Sequence, residues 1–255
     1  MRVVSICPSN TEIVAYLDLT KYLVGVDNYS DWPASVLKLP KVGPDLSIDM
    51  DKVAELKPDL VLASLSVPGM EKNIEALDQR KLPYIILNPN SLQEIALDIQ
   101  TVGDALGFSE LGKEKAKKFL GDIEEIRNTF QSNTNKPKLY WEWWPKPIFT
   151  PGGLNWLTEI SEIAGGENIF SPEKVASFQT DWDDVKERNP DHICMVWVGV
   201  KEEKMRPELV TKRPGWSEMP VIKNNKIHVL EESLFCRPSP RLLDGLRKLV
   251  TIIYE

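Results

Sequence analysis

The feature that most constrains this chain is an alternation of short apolar runs with stretches of helical spacing. In the first half the predicted strands are Val3–Ile6, Leu23–Val26, Leu60–Ala63 and Tyr84–Leu87. The predicted helices occupy residues 10–18, 51–57, 70–79 and 92–106. Such alternation is typical of βα units that build a parallel sheet.

The second half repeats this pattern. Its predicted strands are Leu139–Trp143, Ile193–Val198 and Ile227–Leu230, and a helix from about Pro240 to Tyr254 closes the chain. Between the halves, apolar residues share one helical face over residues 110–131, before the polar segment Ser132–Pro137. We therefore predict an α/β fold of two Rossmann-like lobes with parallel sheets, joined by one long interdomain helix. The predicted boundaries are 1–109, 110–132 and 133–255.

An internal echo supports two lobes of like topology. Residues 49–61 read DMDKVAELKPDLV and residues 181–193 read DWDDVKERNPDHI, and the two segments agree at six positions. Each copy reads as an acidic cap, a short helix, a Pro-Asp turn and a buried strand. The alternative is that the similarity of the two segments is a coincidence, because this order of helix, Pro-Asp turn and strand is common in α/β proteins.

Composition excludes several classes of function. A net charge of −7 over 255 residues does not favour nucleic-acid binding. No apolar run is long enough to span a membrane. Two histidines and three unclustered cysteines predict neither a metal site nor a disulfide framework. Without a nucleophile–base set, a P-loop or GxGxxG, we predict no catalytic residues and a protein that is not an enzyme.

Aromatic residues are the main candidates for ligand binding. Tyr29 and Trp32 follow one predicted strand, and Trp143, Trp144 and Phe149 lie at and after another. For any single ring, core packing is the simpler interpretation. For the loop aromatics we predict a binding cleft, because rigid apolar rings suit a flat macrocycle or chelate.

Two helix starts add polar candidates. Ser9 and Glu12 have the spacing of a capping box, and the amides near Ser9 and Asn10 could also meet a ligand. Phe235 and Arg237 follow the last predicted strand, and the Arg237 guanidinium could reach a ligand acid or amide.

Several segments together resemble a known family. RVVSICPSNTEIVAYL, VGVDNYSDWP, PIFTPGG and RPSPRLLDGL resemble the helical-backbone (class III) periplasmic solute-binding proteins that serve importers of cobalamin and iron–siderophore complexes. The resemblance covers essentially the whole chain and is strongest to the cobalamin-binding branch. It implies two α/β lobes on one long helix, a corrinoid or iron–siderophore chelate bound in an aromatic interlobe cleft, and an ABC permease as partner.

The resemblance also assigns residues. Tyr29 and Phe149 match aromatic positions that pack on the corrin, from opposite lobes. Two family tryptophans are replaced by Asp45 and Ser64, and a third falls near Ser177–Phe178. Trp32, Trp143 and Trp144 could compensate.

Docking on a permease is implied for one acid on each lobe, here Asp51 and Asp183. The alternative role of both is helix-dipole stabilisation in a first turn. No export signal precedes the first strand, which predicts a cytoplasmic protein as the chain stands, or an extracytoplasmic one if a signal segment was removed. The alternative function is an intracellular enzyme or cofactor-delivery protein for a tetrapyrrole-like substrate.

Overall fold

The computed structural model describes residues 1–130 and 134–254. The chain divides into two compact units, the first made of Met1–Pro89 and Gln93–Leu120, the second of Asn90–Leu92 and the residues from Gly121 onward. Both units are α/β with a parallel sheet, which confirms the predicted fold class. The boundaries at residues 109 and 132 stay a prediction. The predicted helix end at Gln131 lies outside the described residues.

The first unit holds four strands and the helices between them, with α5 continuing into the second unit. The strands are β1 (Val3–Ser5), β2 (Leu23–Val26), β3 (Leu60–Ser64) and β4 (Tyr84–Leu87). The helices are α1 (Pro8–Tyr16), α2 (Met50–Glu55), α3 (Glu71–Arg80), α4 (Leu92–Ala105) and α5 (Ser109–Phe130). Short 3-10 turns occupy Thr20–Tyr22 and Ala34–Lys38.

The first sheet is parallel, with strand order β2-β1-β3-β4. Val3 aligns with both Leu23 and Leu60, so β1 is a central strand. Every residue of β1 and β3 is buried, as expected for strands covered by helices on both faces. This arrangement gathers the loops after β1, β2 and β3 at one edge of the sheet, where open α/β sheets bind ligands.

The second unit holds two sheets. Its strands are β5 (Lys138–Glu142), β6 (Trp144–Pro145), β7 (Ile148–Pro151), β8 (Glu167–Asn168), β9 (Ser177–Thr180), β10 (His192–Met195) and β11 (Ile227–Val229). Its helices are α6 (Trp156–Ile163), α7 (Trp182–Arg188), α8 (Glu208–Thr211), α9 (Pro220–Lys223), α10 (Glu232–Phe235) and α11 (Leu242–Tyr254), with a 3-10 turn at Glu202–Lys204. The parallel sheet has the order β11-β10-β5-β8, and β6, β7 and β9 form a smaller sheet.

The two parallel sheets share one topology. Taken in chain order, the strands of each are arranged second, first, third, fourth. Asp49 and Asp181, equivalent in the internal echo, are the N-caps of α2 and α7, and each carboxylate accepts from amides of its helix. The Asp59 carboxylate accepts from the amide of Arg2, and that of Asp191 accepts from the amide of Lys138. The echo is therefore one structural module used in each unit.

The structure departs from the sequence predictions in several details. The small sheet was not predicted: β7 pairs antiparallel with β6 and β9 despite prolines that argue against strands. The predicted strand Ile193–Val198 is observed as His192–Met195. The predicted capping box is wrong, because α1 begins at Pro8 and Cys7 is its N-cap, so Ser9 lies inside the first turn. Proline at the first helical position explains this earlier start.

Within residues 1–130 and 134–254, none of the helices combines the length and the apolar character needed to cross a bilayer.

Candidate functional site

A buried aspartate organises the loop that follows β2. Asp27 is fully buried, and its Oδ2 accepts hydrogen bonds from the backbone amides of Tyr29 (2.7 Å) and Ser30 (3.1 Å). The Ser30 hydroxyl donates to Asp27 Oδ1 and lies 2.7 Å from the Thr11 hydroxyl of α1. Burial raises the pKa of Asp27 above its usual value, while the Ser30 hydroxyl and the Tyr29 amide act in the opposite direction. This network fixes the loop against the first helix.

The ordered loop presents two aromatic side chains to the surface. Tyr29 is 54% exposed and Trp32 is 38% exposed. Lys41 Nζ donates to the carbonyl of Ser30 at 2.6 Å, which ties the loop to the next segment. Two large rings therefore lie exposed on one fixed loop.

The smaller polar candidates of the first unit are engaged internally. Ser9 is buried, with its Oγ 3.2 Å from Cys7 Sγ, and buried Asn10 donates to the carbonyl of Ala63 at 2.9 Å. Ser64 is also buried; its hydroxyl donates to Ser66 Oγ and accepts from the Ser66 amide. Half-buried Asp45 accepts from Asn73 through its backbone carbonyl. The structure thus gives these residues roles in holding the loops, beside any contact with a ligand.

A buried ion pair lies at the end of β5 in the second unit. Glu142 is fully buried, and its two carboxylate oxygens accept from the two terminal nitrogens of Arg213 at 2.6 and 2.8 Å. Tyr140 Oη donates to Glu142 Oε2 at 2.8 Å, and Trp197 Nε1 donates to Oε1 at 3.0 Å. Burial, and next the neighbouring Glu142 carboxylate, raise the pKa of Tyr140 well above its usual value, so this phenol stays protonated.

The hairpin after β5 carries the aromatic candidates of this unit. Trp144 pairs with Phe149 across β6 and β7, and the Trp143 amide donates to the Phe149 carbonyl at 2.9 Å. Trp144 is 43% exposed, while Trp143 and Phe149 are half-buried. The Trp143 ring centroid lies 6.3 Å from that of Trp156. The Trp143 indole N–H is buried and has no hydrogen-bond partner in the described part of the chain.

Phe235 and Arg237 are both buried in the second unit. Phe235 is fully buried, with its ring centroid 5.4 Å from that of Trp141, so it packs as a core residue rather than at the surface. Arg237 is buried as well, and its Nε donates to Glu232 Oε2 at 3.2 Å. Its guanidinium is therefore already paired within the unit.

Asp51 and Asp183 occupy equivalent places in the two modules. Both are exposed in the first turn of their helices, α2 and α7. Arg80 pairs with Asp51 at 2.9 Å, and the side chain of Asp51 remains 83% exposed. Exposure is compatible with both predicted roles, docking and helix-dipole stabilisation.

The chain matches a known family of proteins. The family model for periplasmic binding proteins matches residues 3–234. The chain belongs to that family. The predicted family resemblance is thereby confirmed.

Individual members of the family match over nearly the whole chain. An uncharacterised ABC transporter substrate-binding lipoprotein, YvrC of Bacillus subtilis, is 31% identical over 99% of this chain and 80% of its own length. The crystal structure of the periplasmic vitamin B12 binding protein BtuF of Vibrio cholerae has a TM-score of 0.78 at 26% identity, covering 99% and 96% of the two chains. A possible iron-binding (periplasmic solute-binding) protein from Staphylococcus epidermidis has a TM-score of 0.85 at 25% identity, covering 100% and 98%.

Reactive groups in this family member are few and shielded. Cys7, Cys194 and Cys236 are free thiols, and burial raises the pKa of Cys7 to about 11 and that of Cys236 well above its usual value. Within the described ranges, no group of three or more His, Cys, Asp or Glu side chains is arranged to hold a metal ion.

Sequence reasoning missed the polar residues that support the aromatic surfaces. Asp27, Glu142 and Arg213 were not candidates, yet Asp27 accepts from the loop that carries Tyr29, and Glu142 and Arg213 pair at the strand end before the hairpin that carries Trp144. One signal was available for Glu142. It lies two residues after Tyr140 on the same strand, so the two side chains share a buried face and the acid there needs partners.

Proposed function

We propose that this protein is the solute-binding component of an ABC importer, and that it binds a corrinoid such as cobalamin or, failing that, an iron–siderophore chelate. Membership of the periplasmic binding protein family supports the transport role. The likeness to a vitamin B12 binding protein along nearly the whole chain supports the corrinoid. We further propose that the ligand is bound and released without chemical change.

The observation that carries the proposal is the pair of fixed aromatic surfaces. Tyr29 and Trp32 are exposed on a loop fastened by Asp27 in the first unit, and Trp144 is exposed on a hairpin fastened at Glu142 in the second. Rings held rigidly lose little conformational entropy on binding and match the flat faces of a corrin. Each unit therefore has a surface suited to the same kind of ligand.

Spectroscopy provides the first test. Cyanocobalamin, dicyanocobinamide, haem and a ferric hydroxamate siderophore are added separately, and difference absorbance and calorimetry are recorded. We expect saturable binding of a corrinoid, with the ligand recovered unchanged on denaturing the protein. Absence of binding to both corrinoids and to the siderophore would overturn the proposal, and conversion of the ligand would overturn its non-enzymatic part.

Substitution of the aromatic residues tests the site. We expect Tyr29→Ala with Phe149→Ala to weaken corrinoid binding by about tenfold or more, because aromatic contacts contribute about 0.5–1.5 kcal/mol each beyond their buried area. Leu97→Ala with Leu209→Ala is the matched control, since these side chains are 57% and 55% exposed, one in each unit. If both double variants bind the corrinoid with equal affinity, the aromatic surfaces are not part of the binding site.

Transport also implies a place and a partner. We propose that the protein acts outside the cytoplasmic membrane and delivers its ligand to an ABC permease, with Asp51 and Asp183 as docking residues. Their exposure at equivalent positions of the two modules supports this role. The relatives described as periplasmic or as a lipoprotein support the location.

A further inference from the structure

The Glu142 carboxylate joins three separate segments of the second unit. Tyr140 comes from β5 itself, Trp197 follows β10, and Arg213 lies in the segment between α8 and α9. Four donated hydrogen bonds of 2.6 to 3.0 Å use both carboxylate oxygens. The geometry is that of a planar carboxylate facing a planar guanidinium, because the guanidinium presents two parallel N–H groups.

Arg213 is held on its other sides by aromatic rings. Its guanidinium carbon lies 4.6 Å from the Trp216 ring centroid and 5.5 Å from that of Trp182. The Trp216 indole in turn donates to the Trp182 carbonyl at 3.1 Å. The ion pair thus lies among aromatic rings, and both of its partners are buried.

Such a pair is a poor choice for stability alone. Buried ion pairs are often replaced by apolar residues without loss of stability, since removing two charges from water offsets their attraction. What the pair provides is a defined geometry. In the second unit, the pair defines the geometry at Glu142, the last residue of β5.

The residues directly after Glu142 are the aromatic hairpin. The Glu142 carbonyl accepts from the Val196 amide at 3.0 Å, and the Trp143 carbonyl accepts from the Val198 amide at 3.1 Å. The segment after β10 therefore runs alongside the strand end, with Trp197 donating to the carboxylate between these two bonds. The backbone and the carboxylate of Glu142 are therefore both bonded to the segment after β10, at the point where the hairpin starts.

We propose that Glu142 and Arg213 are positioning residues that set the orientation of the aromatic hairpin, Trp143–Phe149, for ligand binding. The inference rests on the proposed function, in which this hairpin contacts the ligand. The two residues touch no ligand themselves and act through the strand end and the segment that carries Trp197.

The test separates positioning from stability. Glu142→Gln and Arg213→Lys each break the bidentate pair, whereas Glu142→Leu with Arg213→Met replaces it by apolar side chains of similar bulk. Val185→Ala is the matched control, since Val185 is fully buried in the same core and its substitution destabilises without touching the pair. Unfolding in urea first establishes conditions in which each variant is folded.

Two readouts are then recorded on the folded variants. The first is ¹⁹F NMR of 5-fluorotryptophan protein, with Trp143 and Trp144 assigned by Trp→Phe substitution. The second is corrinoid affinity by calorimetry. We expect Arg213→Lys and the apolar double variant to shift or broaden both resonances and to weaken binding about tenfold, while Val185→Ala changes neither.

Wild-type resonances and affinity in the apolar double variant would overturn the inference, because they would show that stability alone is needed. If Glu142→Gln does not fold, the other two variants decide. If wild-type protein binds no corrinoid or siderophore, the proposed function fails, and the ligand-free resonances still decide whether the pair positions the hairpin.

Discussion

At the scale of single residues, the two histidines of the chain form one pair, in which His192 is buried and His228 is half-buried. His192 Nδ1 lies 3.1 Å from His228 Nε2, and the rings are stacked with centroids 5.3 Å apart. Burial lowers the pKa of His192 from its ordinary 6.5 to about 4, and Lys226 and His228 act in the same direction while Asp191 opposes them. Burial also lowers the pKa of His228. Both imidazoles are therefore neutral in the folded protein at neutral pH.

This pair predicts a loss of stability in mild acid. Below about pH 6.5 the unfolded chain takes up a proton on His192, whereas His192 in the folded protein stays unprotonated down to about pH 4. The free energy of unfolding should therefore fall as pH falls through this window, by about 3 kcal/mol at 1.36 kcal/mol per pKa unit. Urea unfolding followed by circular dichroism at neutral pH and at pH values down to about 4 measures the change.

His192→Gln is the variant for comparison, because carboxyl groups whose pKa burial raises, such as Asp27, also titrate in acid. It should be less stable than wild type at neutral pH and should lose less stability on acidification. Parallel pH profiles for the two proteins would show that His192 does not carry the effect.

At the scale of helices, glycine determines how closely α4 and α5 approach. A methyl group built on Gly103 would lie 2.7 Å from the Cα of Gly112, so side chains at this crossing would push the backbones apart. Gly121, further along α5, is exposed, with open space where its side chain would be. Gly103 therefore has no room for a larger side chain, whereas Gly121 has.

Alanine at these positions should have opposite effects. Gly103→Ala should destabilise the protein by about 1–3 kcal/mol, the usual effect of overpacking. Gly121→Ala should stabilise it by about 0.5–1 kcal/mol, because glycine in a helix interior loses more backbone entropy on folding. Urea midpoints of both variants measured together test the pair, and a stabilising Gly103→Ala would show that the helices can separate without penalty.

Helices and strands could be predicted wherever the spacing of apolar residues in the local sequence indicates them. The predicted strand Tyr84–Leu87 matches β4 residue for residue, and the predicted helix 110–131 corresponds to α5, Ser109–Phe130. The small antiparallel sheet was not predictable in this way. β6 has only two residues, and β9 pairs with β7 across a distance in sequence that no local pattern reveals.

At the scale of the whole molecule, the repeated module supplies a test of docking. We expect Asp51→Asn with Asp183→Asn to leave ligand affinity unchanged and to reduce capture of the protein by its permease, more at low salt than at high salt. A pull-down against the purified permease in detergent, beside wild type, measures this. If these aspartates only stabilise helix termini, the double variant should lose thermal stability and keep its capture.

The module also supplies the control. Glu55 and Glu187 are equivalent in the echo, are exposed and lie on the same two helices. Glu55→Gln with Glu187→Gln removes the same charge one turn away. If both double variants lose capture by the permease equally, the effect comes from net charge and not from Asp51 and Asp183 in particular.

The candidate site was predictable only in part, for a physical reason. Exposed rings such as Tyr29 and Trp144 follow strands, and a strand end can be recognised from local sequence. The partners that hold them come from far along the chain: Arg213 is 71 residues from Glu142, and Thr11 is 19 residues from Ser30. A single sequence contains no local signal for such pairings.

The placement of the three thiols, two buried and one half-buried, has a consequence for the compartment in which the chain can work. Thiolate is the form that attacks oxidants and disulfides, and raised pKa values keep Cys7 and Cys236 protonated. An odd cysteine in an oxidising compartment would ordinarily invite mixed disulfides with glutathione or with other chains. Here Cys7 and Cys194 are buried and Cys236 is half-buried, so the fold itself limits such exchange without a disulfide.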